Sequence, residues 1–168
     1  MKTTIIIPCF NEKKTIKQLI NKVNIINIKK EIIIVDDGSF DGTTAILKKI
    51  KHKNIKIIFK KKNEGKGSAI KSALKLIKGD LVLIQDADLE YNPNDYYKLI
   101  KPFSNKKIKV VYGSRVLNKK RYLLKNDLLK NFRVFANQLL TFVSNFFNNQ
   151  KLTDAHTCYK VFRKKLFL

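Results

Sequence analysis

Asp86-Ala87-Asp88 places two carboxylates either side of one residue, directly after the apolar run Leu81–Ile84. If that run is a strand, alternation puts both acids on one side of the chain. Glu90 joins them if the extended path continues. Clustered carboxylates repel one another unless a cation sits between them. Hard oxygen ligands of this kind suit Mg²⁺ or Mn²⁺, which commonly bridge to substrate phosphates. A solvated acidic turn is the bland alternative. A second acidic pair, Asp36-Asp37, precedes Gly38-Ser39. Turn formation explains Asp-Gly by itself. Two adjacent acids after an apolar strand also suit hydrogen bonding to a nucleotide base or ribose. Asp41, before Gly42-Thr43, has the position of a helix cap.

Asn63-Glu64-Gly65-Lys66-Gly67 is not a P-loop, because the G-x-x-x-x-G-K-[ST] spacing fails. Nor is it a full dinucleotide fingerprint, since Ile70 stands where the third glycine belongs. A tight turn into a helix, with backbone N–H groups able to face phosphate, fits better. Asn63 and Lys66 are therefore candidates for nucleotide binding. Arg115 and Arg133 offer planar forks that match phosphate, and Asn137 falls one turn after Arg133 on the same helix face.

These residues need a scaffold, and the pattern supplies one. Strands are expected at Thr3–Pro8, Glu31–Asp36, Ile55–Phe59, Leu81–Ile84 and Ile108–Tyr112. Helices are expected around Ile16–Val23, Thr43–Ile50 and Ala69–Ile77, with a short one opening at Pro93. This alternation predicts an α/β, Rossmann-like fold with a mainly parallel central sheet flanked by helices. Ligands in such sheets bind beyond the carboxyl ends of the strands. Every expected strand delivers polar, acidic or glycine-rich residues to that edge.

Bulk properties set the limits. The chain has 168 residues, 44% apolar, enough for a folded domain. Its 36 Lys+Arg against 13 Asp+Glu give +23. A polyanionic partner would account for that charge, and so would a coding bias toward Lys, Asn and Ile. The two cysteines, Cys9 and Cys158, form neither a disulfide framework nor a CxxC site, which fits a reducing, cytoplasmic setting. No signal peptide is expected, and no run reaches the about 18 apolar residues of a membrane span. No nucleic-acid motif accompanies the charge, so no nucleic-acid partner is expected.

Taken together, IIIPCFNE, IIIVDDGSFDGT, KNEGKGSAI, LIQDADLEYNP, VVYGSR and LTDAHTCYKVFR resemble family 2 glycosyltransferases of the GT-A fold. The closer resemblance is to the subgroup that makes dolichyl- or polyprenyl-phosphate sugars. The resemblance implies an inverting transfer of a hexose, mannose or glucose, from a GDP- or UDP-sugar, with Mg²⁺ or Mn²⁺. It implies that Pro8, Phe10, Glu12 and Asp37 hold the base and ribose of the donor, to which the strand-end reading adds Asp36, Asn63 and Lys66 as candidates. Asp86 and Asp88 would hold metal and diphosphate, and Glu90 stands where a third polar ligand is usual. Arg115 and Arg133 would meet phosphates of donor or acceptor, with Asn137 and Lys160 on the acceptor side. A polyprenyl-phosphate acceptor implies work at the cytoplasmic face of a membrane. The basic stretch from Lys119 to Lys125 is the expected contact. A glycan acceptor is the alternative, and a basic nucleic-acid-binding module a remote one. Cys9 and Phe10 replace the usual small residue and Tyr, and His156 is atypical. A single catalytic domain over 1–168, cut short at its C-terminus, is the expectation, with the Phe-rich segment around Phe132–Phe147 left exposed.

Overall fold

The computed structural model describes residues 1–117 and 128–167, without the side chains of 128–131 and 133. The Lys119–Lys125 stretch lies outside the described residues, as does the side chain of Arg133. Two compact units emerge, Met1–Val111 with Val161–Leu168, and Tyr112–Lys160.

Six strands form one sheet, in chain order β1 (Thr3–Cys9), β2 (Lys30–Asp36), β3 (Ile55–Phe59), β4 (Leu81–Ile84), β5 (Val110–Tyr112) and β6 (Lys160–Arg163). Their spatial order is β3-β2-β1-β4-β6-β5. β1 lies at the centre, parallel to β2 and to β4, and β3 continues the parallel set beyond β2. The β1–β2 register sets Cys9 opposite Asp36, and β2–β3 sets Asp36 opposite Phe59. The carboxyl ends of the strands thus share one edge. β6 is antiparallel to β4, pairing Val161 with Leu83. This strand is absent from the sequence reading above, where its residues belong to an acceptor-side motif.

The strands form where β-branched runs occur because both faces are covered. Ile5, Ile6, Ile7, Ile32, Ile33, Ile34 and Leu81–Leu83 are all fully buried. Helix α1 (Ile16–Ile25) buries Ile16, Leu19, Ile20 and Val23 at helical spacing. Helix α2 (Thr43–Lys48) has Gly42, at φ 102, in the N-cap position, so Asp41 is not the cap the sequence suggests; it stands one residue earlier and accepts the Thr43 N–H on Oδ1 at 2.9 Å. Helix α3 (Lys66–Ala73) sets Ala69 and Ala73 against Ile6, Ile33, Val35 and Val82. Pro93 opens a short 3₁₀ turn, with the Asn92 side chain accepting from Asn94 N, and helix α4 (Tyr96–Ile100) follows.

The opposite edge of the sheet is pinned by one buried acid. Glu31 accepts from Lys2 Nζ at 2.6 Å, Thr4 Oγ1 at 2.6 Å, and the N–H groups of Lys78 and Gly79. A Cβ at Gly79 would stand 2.5 Å from the Thr4 nitrogen, so only glycine fits there.

The second unit contains α5 (Leu128–Asn148). Among the described residues three further helical pieces occur: the 3₁₀ turns Leu74–Leu76 and Lys101–Ser104, and α6 (Lys164–Phe167). Among the described residues no helix is long and apolar enough to cross a membrane.

Candidate active site

The loops after β1, β2, β3 and β4 enclose a cleft of about 360 Å³. Pro8 comes from the end of β1, Phe10 and Glu12 from the loop after it, and Asp37 from the second loop. Asn63 and Lys66 come from the third, and Asp86 and Asp88 from the fourth. Eight side chains expected on the donor side therefore share one cavity at the carboxyl edge of the sheet.

The loops are fastened to one another. Asn11, at φ 57, takes the Phe40 N–H on its side-chain oxygen, and its own N–H reaches Ser39 Oγ at 2.9 Å. Glu12 N donates to Thr43 Oγ1 at 2.8 Å. The Phe10 and Phe40 rings meet edge to face, 5.7 Å between centroids. Gly38 turns at φ +77, where a Cβ would stand 2.6 Å from the Lys62 carbonyl carbon. The close passage of two loops requires glycine there.

The acidic pair divides its labour. Asp36 does not line the cleft: its carboxylate accepts from Ser39 N at 3.0 Å and from the Thr44 hydroxyl, which holds the turn into α2. Asp37 does line it. Its Oδ2 accepts the N–H groups of Glu64 at 3.1 Å and Gly65 at 2.8 Å, and its Oδ1 pairs with Lys60 Nζ. Asp37 thus ties the second loop to the third and shapes the entry into α3. Lys60 is a partner that the sequence reading missed; it directly follows β3 and lies beside Asp36 through the Lys60 N–H to Asp36 carbonyl bond.

Asp86 and Asp88 reach the cleft by a turn, not by continued strand. β4 ends at Ile84, and Leu89 takes φ 66. The Glu90 N–H closes on Asp88 Oδ1 at 3.0 Å. The premise that an extended path carries Glu90 to the two acids therefore fails, and Glu90 is not among the residues lining the cleft. Lys66 Nζ pairs with Asp86 Oδ1, so this carboxylate already faces a cation.

Among the described residues no three His, Cys, Asp or Glu side chains form a metal cage by themselves. A Mg²⁺ or Mn²⁺ site completed by substrate phosphates and water needs only one or two carboxylates. Two acids in one cleft, one of them already paired with an ammonium group, fit that requirement.

Cys9 also lines the cleft. Burial first, then the charges of Asp36, Glu12, Asp41 and Asp37, push its thiol up to about 12. It is therefore a neutral wall residue at pH 7 and not a nucleophile.

The remaining expected residues belong to the second unit. Arg115 is gripped by Asp154 through a fork, Nε to Oδ2 at 2.8 Å and Nη2 to Oδ1 at 3.0 Å. Asp154 is buried, and it also accepts the Arg115 backbone N–H. Lys160 Nζ stands 5.3 Å from the centroid of the Tyr112 ring. Asn137 is half-buried and accepts the Thr141 hydroxyl on its carbonyl at 2.7 Å. Asp154 belongs to the LTDAHTCYKVFR motif, but nothing in the sequence paired it with Arg115, 39 residues earlier.

The chain matches the family described as Glycosyl transferase family 2 over residues 4–168. A UDP-N-acetylglucosamine–dolichyl-phosphate N-acetylglucosaminyltransferase of Methanococcus voltae is 33% identical, over 95% of this chain and 68% of the relative. A dolichol-phosphate mannosyltransferase of Pyrococcus furiosus is 32% identical, over 62% of this chain and 31% of the relative. The chain thus spans about two thirds of one relative and under a third of the other. Among solved structures, glucosyl-3-phosphoglycerate synthase from Mycobacterium tuberculosis, in complex with Mn²⁺, UDP and phosphoglyceric acid, superposes with a TM-score of 0.70. That likeness covers 98% of this chain and 56% of the other at 18% identity, and it shows the fold, the GT-A α/β architecture. The chain belongs to glycosyl transferase family 2.

Proposed function

We propose that the cleft binds a nucleotide-diphosphate sugar with Mg²⁺ or Mn²⁺, and that the chain passes the sugar, with inversion, to a polyprenyl or dolichyl phosphate. The observation that carries the donor half is the convergence of Asp86 and Asp88 with Asp37, Asn63 and Lys66 on one cleft of about 360 Å³. The acceptor half is supported by the two relatives named for dolichyl-phosphate chemistry.

On this reading Asp86 and Asp88 hold the divalent ion. The ion, when bound, offsets the charge of the departing diphosphate. Pro8, Phe10, Glu12 and Asp37 hold the base and ribose. Asn63 and Lys66 lie on the diphosphate side, where the first turn of α3 directs N–H groups and an ammonium group toward anionic oxygen. The acceptor needs no protein nucleophile. A phosphomonoester, with a second pKa of about 6, is largely ionised at pH 7. Its oxygen attacks the anomeric carbon, the bond to the donor diphosphate breaks, and the configuration inverts. The neutral Cys9 thiol takes no part. Arg115, Arg133 and Lys160 are the cations assigned to the phosphates, and Asn137 is assigned to the acceptor side. A lipid-linked acceptor places the work at the cytoplasmic face of a membrane.

Transfer from labelled UDP- and GDP-sugars to polyprenyl phosphate, with a glycan acceptor in parallel, tests the proposal. We expect Mn²⁺-dependent label in the lipid phase. Label in the glycan and none in the lipid would contradict the acceptor assignment.

A further inference from the structure

The Asp86–Ala87–Asp88 turn is held from beneath by two residues that do not line the cleft. Gln85 is completely buried, and its backbone N–H still donates to the Ile6 carbonyl at 2.9 Å, one step past the end of β4. Burying a primary amide is unfavourable unless its oxygen and nitrogen find partners. Here both ends do. Gln85 Oε1 accepts the Tyr96 hydroxyl at 2.7 Å, and Gln85 Nε2 donates to the Asp86 carbonyl at 2.9 Å. Tyr96 is itself fully buried, at the start of α4.

The bonds run in one direction: phenol to amide oxygen, amide nitrogen to peptide oxygen. The Tyr96 hydroxyl has only one proton to give. By giving it to Oε1, it fixes which end of the Gln85 amide faces the turn. The amide then orients the peptide group that joins Asp86 to Ala87. That peptide is the lever arm between the two cleft acids. On the far side, the left-handed Leu89 and the Glu90 N–H bond to Asp88 complete the turn.

We propose that Tyr96 and Gln85 are positioning residues that hold the Asp86–Asp88 turn in the shape that accepts a divalent cation. The inference rests on the metal-dependent reading of the cleft given above. Neither residue lines the cleft; both act through the Asp86 carbonyl. Residues that orient metal ligands in this way typically change metal affinity by about 10–100-fold when altered.

The test uses the full chain, Mn²⁺ with UDP or GDP as the probe, electron paramagnetic resonance to count free Mn²⁺ against a protein-free nucleotide blank, and thermal melting as the control for folding. Tyr96→Phe keeps the buried ring and removes one proton donor. It should weaken Mn²⁺ binding about 10-fold and lower the melting midpoint by a few degrees, because Gln85 Oε1 loses that donor. The double variant Tyr96→Phe with Gln85→Met removes both polar groups while conserving volume, a change that is often nearly neutral for stability. It should regain most of the melting temperature and still bind Mn²⁺ weakly. Tyr96→Phe binding Mn²⁺ as tightly as the unaltered chain would overturn the proposal. So would a double variant that regains affinity together with stability, because the pair would then be only a core hydrogen bond. An unaltered chain that binds no Mn²⁺ with either nucleotide removes the metal reading itself, and the positioning role with it.

Discussion

Leu83 and Phe142 are both large apolar side chains in regular structure. Leu83, in β4 of the first unit, is completely buried; Phe142, on α5 of the second, is 68% exposed. The contrast runs through both units. In the first, apolar strands and helix faces fill the interior, and the polar residues gather at the edges of the sheet. In the second, Phe132, Phe135, Leu139, Phe142 and Phe146 stand exposed at alternating three- and four-residue steps along α5. Internal bonding there is polar: Arg115 with Asp154, Ser114 with Thr153, and Asn145 doubly with Leu152. A stripe at that spacing on a helix is a packing face. The first unit spends its apolar surface on its own core, and the second presents much of it outward.

Three changes sharpen or break this comparison. The largest effect is expected from Leu83→Ala, which removes a side chain from a strand flanked by β1 and β6 and should cost about 3 kcal/mol in a denaturant melt. A cost below about 1 kcal/mol would mean that the first unit is looser than its burial indicates.

A smaller effect is expected at Glu31, and it depends on pH. Burial pushes the Glu31 carboxyl up, but the bonds from Lys2, Thr4 and Lys78 outweigh it and hold the group below its ordinary value of 4.5. Its charged form is thus favoured in the folded chain. The resulting stability is fully present above that ordinary value and is lost as pH falls through the lower folded value. Glu31→Gln should lower stability at neutral pH and flatten the acid limb of a melting-temperature profile. An unchanged acid limb would remove Glu31 from the causes of acid unfolding.

The smallest effect is expected from Phe142→Ser. Stability should change by no more than about 0.5 kcal/mol, while binding of a hydrophobic dye falls. A loss of several kcal/mol would show that the α5 face is already covered.

The same division explains how much could be read from the sequence. Runs such as Ile5–Ile7 and Leu81–Leu83 marked buried parallel strands, and Asp41, Gly65 and Pro93 marked where helices begin. Those signals are local. The cleft residues were legible for a related reason: in a parallel sheet, strand ends share an edge, so Glu12, Asp37, Lys66 and Asp86 converge once the strands are placed. What stayed illegible depended on single torsions or distant partners. Nothing in the sequence around Asp36-Asp37 says that the first faces its own turn and the second the cleft. The left-handed Leu89, which carries Glu90 away, follows from the closed turn and not from residue type. Arg115 meets an acid 39 residues away, and Gln85 meets a tyrosine 11 residues away. Strand β6 is four residues long and is fixed by pairing with β4, not by a pattern of its own.

The central claim is that Asp86 and Asp88 make the cleft a metal-dependent nucleotide site. Calorimetric titration of UDP and of GDP into the chain and into Asp88→Ala, each with and without Mn²⁺, tests it most directly. The account predicts Mn²⁺-dependent nucleotide binding in the unaltered chain, and a loss of about 100-fold or more in Asp88→Ala, with the melting temperature little changed because Asp88 is exposed. Equal Mn²⁺-dependent affinity in the two proteins would contradict it.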